Sequence, residues 1–411
     1  MAEGKKRTRG MDTRLFLFYA GCAIFNIGSN TAHPVTPTIF TTLGLGSYMF
    51  GLALAAQLTT NFLFSPFWGW LSTYISNRRA LLITCVGYGL GQILFGLSKT
   101  ELAFIVARAL TGIFCGGCFV CIMAYIVNTA PDGETRGRWL TTSATLQTVC
   151  GAFGYFIGGM LGEIFPHLAI IFQVGFLFSA GVIFYMACSE DAVMAVSELK
   201  KKENRKGFNP FVSFINAKSF LTPVFALLFM ACLLQNLGFT TFDQTFNYYI
   251  RDQFNFSSGY NGILKGIMGL ITLAANSTIC IWLIRRTDIR KSSISVFVIC
   301  SLSMLGVVVF SQIIPFVIVN VLFFAFHSVS LPLLQTLVAE DVKSSQSSLV
   351  MGFYNAVRSL GGIAGALFSG LLYTAGPKFP FIFGFGAFIL AAALLLLYWR
   401  KAEAKTAAMP L

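Results

Sequence analysis

The chain has 411 residues, 56% hydrophobic and only 11% charged, with a mean hydropathy of +0.74. Water-soluble domains carry about 25% charged residues, so this composition excludes one. Apolar runs long enough to cross a bilayer recur along the whole length, so the net charge of +13 has to be read by position before it is taken as a nucleic-acid signal.

Twelve spans are expected, at 15–39, 48–72, 80–98, 102–127, 139–162, 167–188, 219–245, 259–284, 291–312, 314–338, 348–374 and 379–399. With the N-terminus in the cytoplasm, Lys99, Arg251 and Lys378 fall outside and Arg108, Lys265 and Arg358 fall within spans. The rest of the 29 Lys and Arg lie on cytoplasmic segments. This positive-inside bias makes the basic excess a topology signal. A multi-pass plasma-membrane protein with both termini cytoplasmic is expected, and no nucleic-acid partner. The basic KKRTRG precedes an apolar run that continues through HPVTPTIF without a small-residue cleavage site, so it reads as a retained first span.

In span one, Asn26, Asn30 and His33 follow i, i+4, i+7; in span two, Gln57 and Asn61 are i, i+4. The loop after span two reads GWLSTYISNRR, and span three carries GYGLG at 87–91, where glycines favour close helix packing over dinucleotide binding. Span four opens with RALTG, which places Arg108 four residues before Gly112. It continues through Cys115, Cys118 and Cys121, whose spacing resembles a metal site, but their apolar helix with Gly116 and Gly117 favours helix contact, so no metal is expected. Span five bears Gln147 and GAFGYFIGGML at 151–161, with Gly154, Gly158 and Gly159.

The polar stretch 189–218 reads as a cytoplasmic connector between an N-terminal bundle, 1–188, and a C-terminal bundle, 219–411. Within it, FNPFVSFI has the alternation of a segment lying on a membrane surface. In span seven, Asn236, Thr240, Asp243 and Asn247 share a face, with Gln235 and Gln244 beside them. Lys265 lies near the start of span eight, Asn320 and His327 lie seven apart in span ten, and Asn355 and Arg358 are i, i+3 in span eleven. Span eleven then reads GIAGALFSGLL, so Gly151, Gly154 and Gly159 recur at an offset of 211 as Gly362, Gly365 and Gly370. Six spans on each side of the connector and this shared register predict two related halves, an arrangement common in transporters.

These motifs resemble the major facilitator superfamily over nearly the whole chain. The loop matches the family's G-x-x-x-D-R-x-G-R-R at Gly69 and Arg78, while Thr73, Tyr74 and Ser76 replace its Asp, Arg and Gly. RALTG matches R-x-x-x-G, and GYFIGG is similar to the G-P-x-x-G-G of the drug–proton antiporter branch, with Tyr155 for Pro. The resemblance implies an all-α fold of twelve transmembrane helices in two pseudo-symmetric six-helix bundles, functional as a monomer.

A charge at the centre of a membrane helix costs about 2.5–3.5 kcal/mol on insertion scales, so the polar stripes are expected to face a wet cavity. Asp243 reads either as a proton-coupling carboxylate or as half of a structural or gating salt bridge with Lys265. Arg108 reads as a polar hub or a coupling residue, and His33 as an interhelical hydrogen-bonder or a proton carrier. Arg358 is the candidate for holding an anionic group bidentately, with Asn355, Asn30, Asn26, Gln147, Asn236 and His327 as further solute contacts. No G-x-x-x-x-G-K-[ST], H-E-x-x-H or G-x-S-x-G motif occurs, so neither enzyme chemistry nor a cofactor is expected. The expected function is secondary transport of a small organic solute, with proton-coupled drug or metabolite efflux ahead of uptake or exchange of an organic anion or zwitterion. A non-transporting sensor on the same scaffold is the remaining class, and the tail KAEAKTAAMPL offers it no signalling domain.

Overall fold

The computed structural model describes residues 2–191, 209–340 and 347–407. Among them the only regular structure is helical. It runs as α1 (Ala2–Thr31), α2 (Thr36–Thr42), α3 (Met49–Leu97), α4 (Glu101–Thr129), α5 (Gly133–Ile164), α6 (Pro166–Ala187), α7 (Val212–Asn216), α8 (Pro223–Asp252), α9 (Ser258–Ala275), α10 (Ile281–Arg286), α11 (Ile289–Val309), α12 (Ile313–Glu340), α13 (Ser347–Ala375) and α14 (Phe379–Ala407). Eleven helical segments among the described residues are long and apolar enough to cross a membrane. The remaining expected span, 48–72, is the first limb of α3, where Gln57, Thr59, Thr60 and Asn61 dilute the apolar run. α3 contains 49 residues, about 70 Å of helix, more than twice a bilayer's hydrocarbon thickness. Ser76, at φ 69° and ψ 144°, breaks it into its two limbs.

Local chemistry sets the helix starts. The side chains of Thr100, Asp132, Thr222 and Asp288 each accept a backbone N–H at the start of α4, α5, α8 and α11. Pro223 and Pro166 sit in the first turn of α8 and α6, where no N–H is needed. Residues 192–208 of the expected connector and 341–346 of the loop before span eleven lie outside the described residues. Residues 212–215 of the FNPFVSFI segment begin the short α7, with Phe214 edge-on to Phe353 at 5.3 Å and Phe211 and Ile215 exposed.

The chain divides into two compact units. Unit 1 is Met1–Leu45, Ala56–Pro210 and Phe256–Gly269; unit 2 is Gly46–Ala55, Phe211–Asn255 and Leu270–Leu411. In unit 1, α1 packs on α5 and α6; in unit 2, α8 packs on α13 and α14. The first helix of each half thus meets the fifth and sixth. The repeated glycines make the same contacts: a Cβ on Gly154 would strike the carbonyl oxygen of Ile27 in α1, and one on Gly365 that of Leu237 in α8. Gly158 brings α5 equally close to the Thr31 carbonyl. The core of unit 1 buries Cys115, Cys118 and Cys121 with Trp68, Phe25 and Phe184, and Cys118 Sγ lies 3.8 Å from Cys85 Sγ, so the cysteine triplet is part of the apolar packing.

Candidate transport site

In unit 1 a buried polar group forms around Arg108 of α4. Arg108 is 5% exposed, donates to Gln57 Oε1 at 3.0 Å and Thr36 Oγ1 at 3.3 Å, and stacks over the Phe95 ring at 4.1 Å. All three partners are neutral. Gly112, one turn further, lets α4 approach the Gln57 carbonyl, so the R-x-x-x-G spacing both places the cation and brings its acceptor helix near. A second cluster centres on Tyr155. His33 stacks on its ring at 5.5 Å and 15°, and Lys265 Nζ lies 5.7 Å from the ring centroid. Span one's amides turn back on their own helix: Asn26 Nδ2 donates to the Cys22 carbonyl at 2.8 Å and Asn30 Nδ2 to the Asn26 carbonyl at 2.9 Å. Gln147 is exposed.

In unit 2 the fully buried Gln235 Nε2 and His327 Nε2 are 2.7 Å apart, joining α8 to α12. Phe239, one turn along α8, lies flat on the His327 imidazole at 3.7 Å and 4°. Asn236 Nδ2 donates to the backbone carbonyl of Arg358 at 2.6 Å. The Arg358 guanidinium sits 5.6 Å from the Tyr354 ring, and both Arg358 Nε and Tyr354 Oη are buried with no hydrogen-bond partner among the described residues. Asn355 is exposed, and Asn320 donates to the Phe316 carbonyl of its own helix at 2.7 Å. Gln244 Nε2 lies 3.5 Å from Asp243 Oδ2. Asp243 belongs to unit 2 and Lys265 to unit 1.

The structure therefore joins Arg108 to Gln57, His33 and Lys265 to Tyr155, His327 to Gln235, and Asn236 to Arg358. Sequence reasoning gave no role to Tyr155, Tyr354 or Phe239. Aromatic residues are so frequent here, at 15% of the chain, that none of them stood out. The loop residue Arg78 donates from Nε to the Tyr185 carbonyl at 2.6 Å and lies over the Tyr185 ring at 4.2 Å, while Arg79 pairs with Glu190 at 3.2 Å. Gly69 has only an ordinary contact, 3.5 Å from Val120 to a Cβ placed there.

Residues 18–366 and 297–409 match the profile described as Major Facilitator Superfamily. The chain belongs to the major facilitator superfamily. It is 22% identical over 398 residues to Multidrug resistance protein 1 of Bacillus subtilis (strain 168), covering 96% of each. It is 24% identical to Multidrug resistance protein MdtG of Proteus mirabilis (strain HI4320), covering 94% of this chain and 95% of that protein. Among solved structures, the human organic anion transporter MFSD10 (TETRAN) aligns with a TM-score of 0.66 at 19% identity, over 94% of this chain and 99% of that one. A D-xylose-proton symporter aligns with a TM-score of 0.70 at 14% identity, over 93% and 96%. This superfamily member is a multi-pass, single-chain secondary transporter of small molecules, not an enzyme.

Proposed function

We propose that the protein exports a small organic solute, a drug or metabolite, in exchange for protons, acting as a monomer in the cell membrane with both termini cytoplasmic. The observation that carries this reading is the alignment over nearly its full length with two proteins named for multidrug resistance. The polar groups on otherwise apolar helices are consistent with it, because only a wet, functional interior repays their desolvation. Asp243, Lys265, Arg108 and His33 are the proposed coupling or gating residues. Arg358, Asn236, His327, Asn355, Asn26, Asn30 and Gln147 are the proposed solute contacts.

A second reading is uptake or exchange of an organic anion or zwitterion. It is favoured by Arg358, whose Nε is buried with no hydrogen-bond partner among the described residues.

Proteoliposomes with an imposed pH gradient separate the two. Export predicts that an acidic lumen drives accumulation of a lipophilic cation such as ethidium, or of a quinolone, and that Asp243→Asn removes the gradient dependence. Exchange predicts counterflow of labelled benzoate, abolished by Arg358→Gln. Movement of none of these probes by the wild type, or gradient-driven flux undiminished in Asp243→Asn, would refute the coupled-export reading.

A further inference from the structure

The turn between the limbs of α3 departs from the family signature at four positions, Thr73, Tyr74, Ser76 and Asn77, and two of them bear on its geometry. Thr73 stands where the carboxylate belongs and Ser76 where the glycine belongs. Ser76 nevertheless adopts φ 69° and ψ 144°, a region that L residues avoid and glycine enters freely. It is fully buried, as is Asn77. Something must hold a serine there.

That something is Asp191, four residues past the end of α6. Its Oδ1 accepts from Ser76 Oγ at 2.7 Å and from the Asn77 backbone N–H at 2.8 Å. Its Oδ2 accepts from Asn77 Nδ2 at 2.6 Å and Asn128 Nδ2 at 3.2 Å, the latter at the end of α4. Its own backbone N–H donates back to Ser76 Oγ at 3.2 Å, and Ser76 Oγ also accepts the Arg78 N–H at 3.3 Å. One carboxylate thus gathers four donors from two elements, three of them at 2.8 Å or less.

We propose that Asp191 is a clamp that stands in for two of the missing signature residues, supplying the carboxylate absent at Thr73 and offsetting the backbone strain of Ser76. The serine is tolerated because Asp191 holds its hydroxyl, and the first residues of the connector are fixed to the α3 turn as a consequence. Neighbouring Glu190, on Arg79 at 3.2 Å and Arg78 at 4.0 Å, adds an exposed ionic tether beside the buried clamp. The inference goes beyond the transport reading and does not depend on which solute is moved.

The test is a thermal double-mutant cycle on the purified full chain in lipid nanodiscs. Asp191→Ala should lower the unfolding midpoint by about 4 °C. Ser76→Gly on that background should recover at least half of the loss, because glycine occupies the turn without strain. In the wild type the same change should gain little, since it also discards the hydroxyl that Asp191 holds. An unchanged midpoint in Asp191→Ala, or no recovery in the double variant, would overturn the clamp. Should Asp191→Ala fail to fold, the double variant decides: monodisperse protein supports the proposal, and aggregated protein overturns it. No solute is used, so failure here leaves the transport reading untouched.

Discussion

Gly159 and Gly262 meet backbone to backbone in unit 1: a Cβ on Gly262 would lie 2.9 Å from Gly159 Cα, and one on Gly159 would lie 2.8 Å from Gly262 Cα. Unit 2 repeats the pair, since a Cβ on Gly51 would lie 2.9 Å from Gly370 Cα. Both members of one pair differ from their counterparts by the same 211-residue step. The repeat therefore conserves the contact as well as the glycine register in spans five and eleven.

Substitution at these pairs should destabilise despite the better helix propensity of the new residue. Gly262→Val forces backbone apart, at a cost of about 1–3 kcal/mol, against a gain of well under 1 kcal/mol from leaving glycine. Gly386, with nothing within 4 Å of its Cβ position, is the control, and Gly386→Ala should hold or raise the midpoint. A thermal series over Gly262→Val, Gly51→Val and Gly386→Ala checks the ordering.

Tyr155 replaces the proline of the span-five signature and gathers His33 and Lys265 on its ring. Both contacts are made to the ring. Tyr155→Phe keeps them and should therefore transport faster than Tyr155→Ala, which loses the cation–π contact, worth about 0.5–2 kcal/mol, and the stacking. Tyr155→Pro restores the branch motif yet should resemble the alanine variant. Initial rates of quinolone or ethidium flux in proteoliposomes would show the order.

Helix positions and the repeat were legible because a 3.6-residue period and an apolar run each leave a mark on one continuous segment. Arg108 with Gly112 was legible for the same reason. What escaped was pairing across the chain. Gly51 and Gly262 lie in stretches without a motif, so only coordinates reveal them as the partners of Gly370 and Gly159. Asp191 was equally hidden, because an acidic residue at the mouth of a charged connector reads as solvated. Its role depends on a turn more than a hundred residues earlier. Span two blurred for a different reason: its amides and threonines lower its hydropathy, and one of them, Gln57, is the acceptor for Arg108.

His327 and Gln235 form a buried pair, with Phe239 closing one face of the imidazole. His327→Leu fills much of the volume but removes the 2.7 Å partner of the buried Gln235 Nε2, leaving it only Ser330 Oγ at 3.4 Å. The cost should be about 1–3 kcal/mol. Gln235→Leu alone should cost about as much, and the double change to leucine less than the two singles combined, because no polar group is then left orphaned. Denaturation midpoints of the four proteins measure the coupling; additive losses would mean the pair contributes nothing as a pair.

Arg108 poses the clearest separation of stability from function. It is a buried cation whose partners, Gln57, Thr36 and the Phe95 ring, carry no compensating charge. Keeping it costs desolvation that its neutral hydrogen bonds only partly offset. Arg108→Met fills the same channel with an unbranched apolar chain and should leave the thermal midpoint unchanged or raise it. Gradient-driven transport should nevertheless fall by at least about tenfold, since a positive charge kept in hydrocarbon at such a cost is retained for function. Arg108→Lys should keep the charge but lose the fork that reaches Gln57 and Thr36 together, giving an intermediate rate. Paired measurement of midpoint and flux decides the matter. A variant that unfolds would make Arg108 a structural hub, and one that transports normally would remove it from coupling.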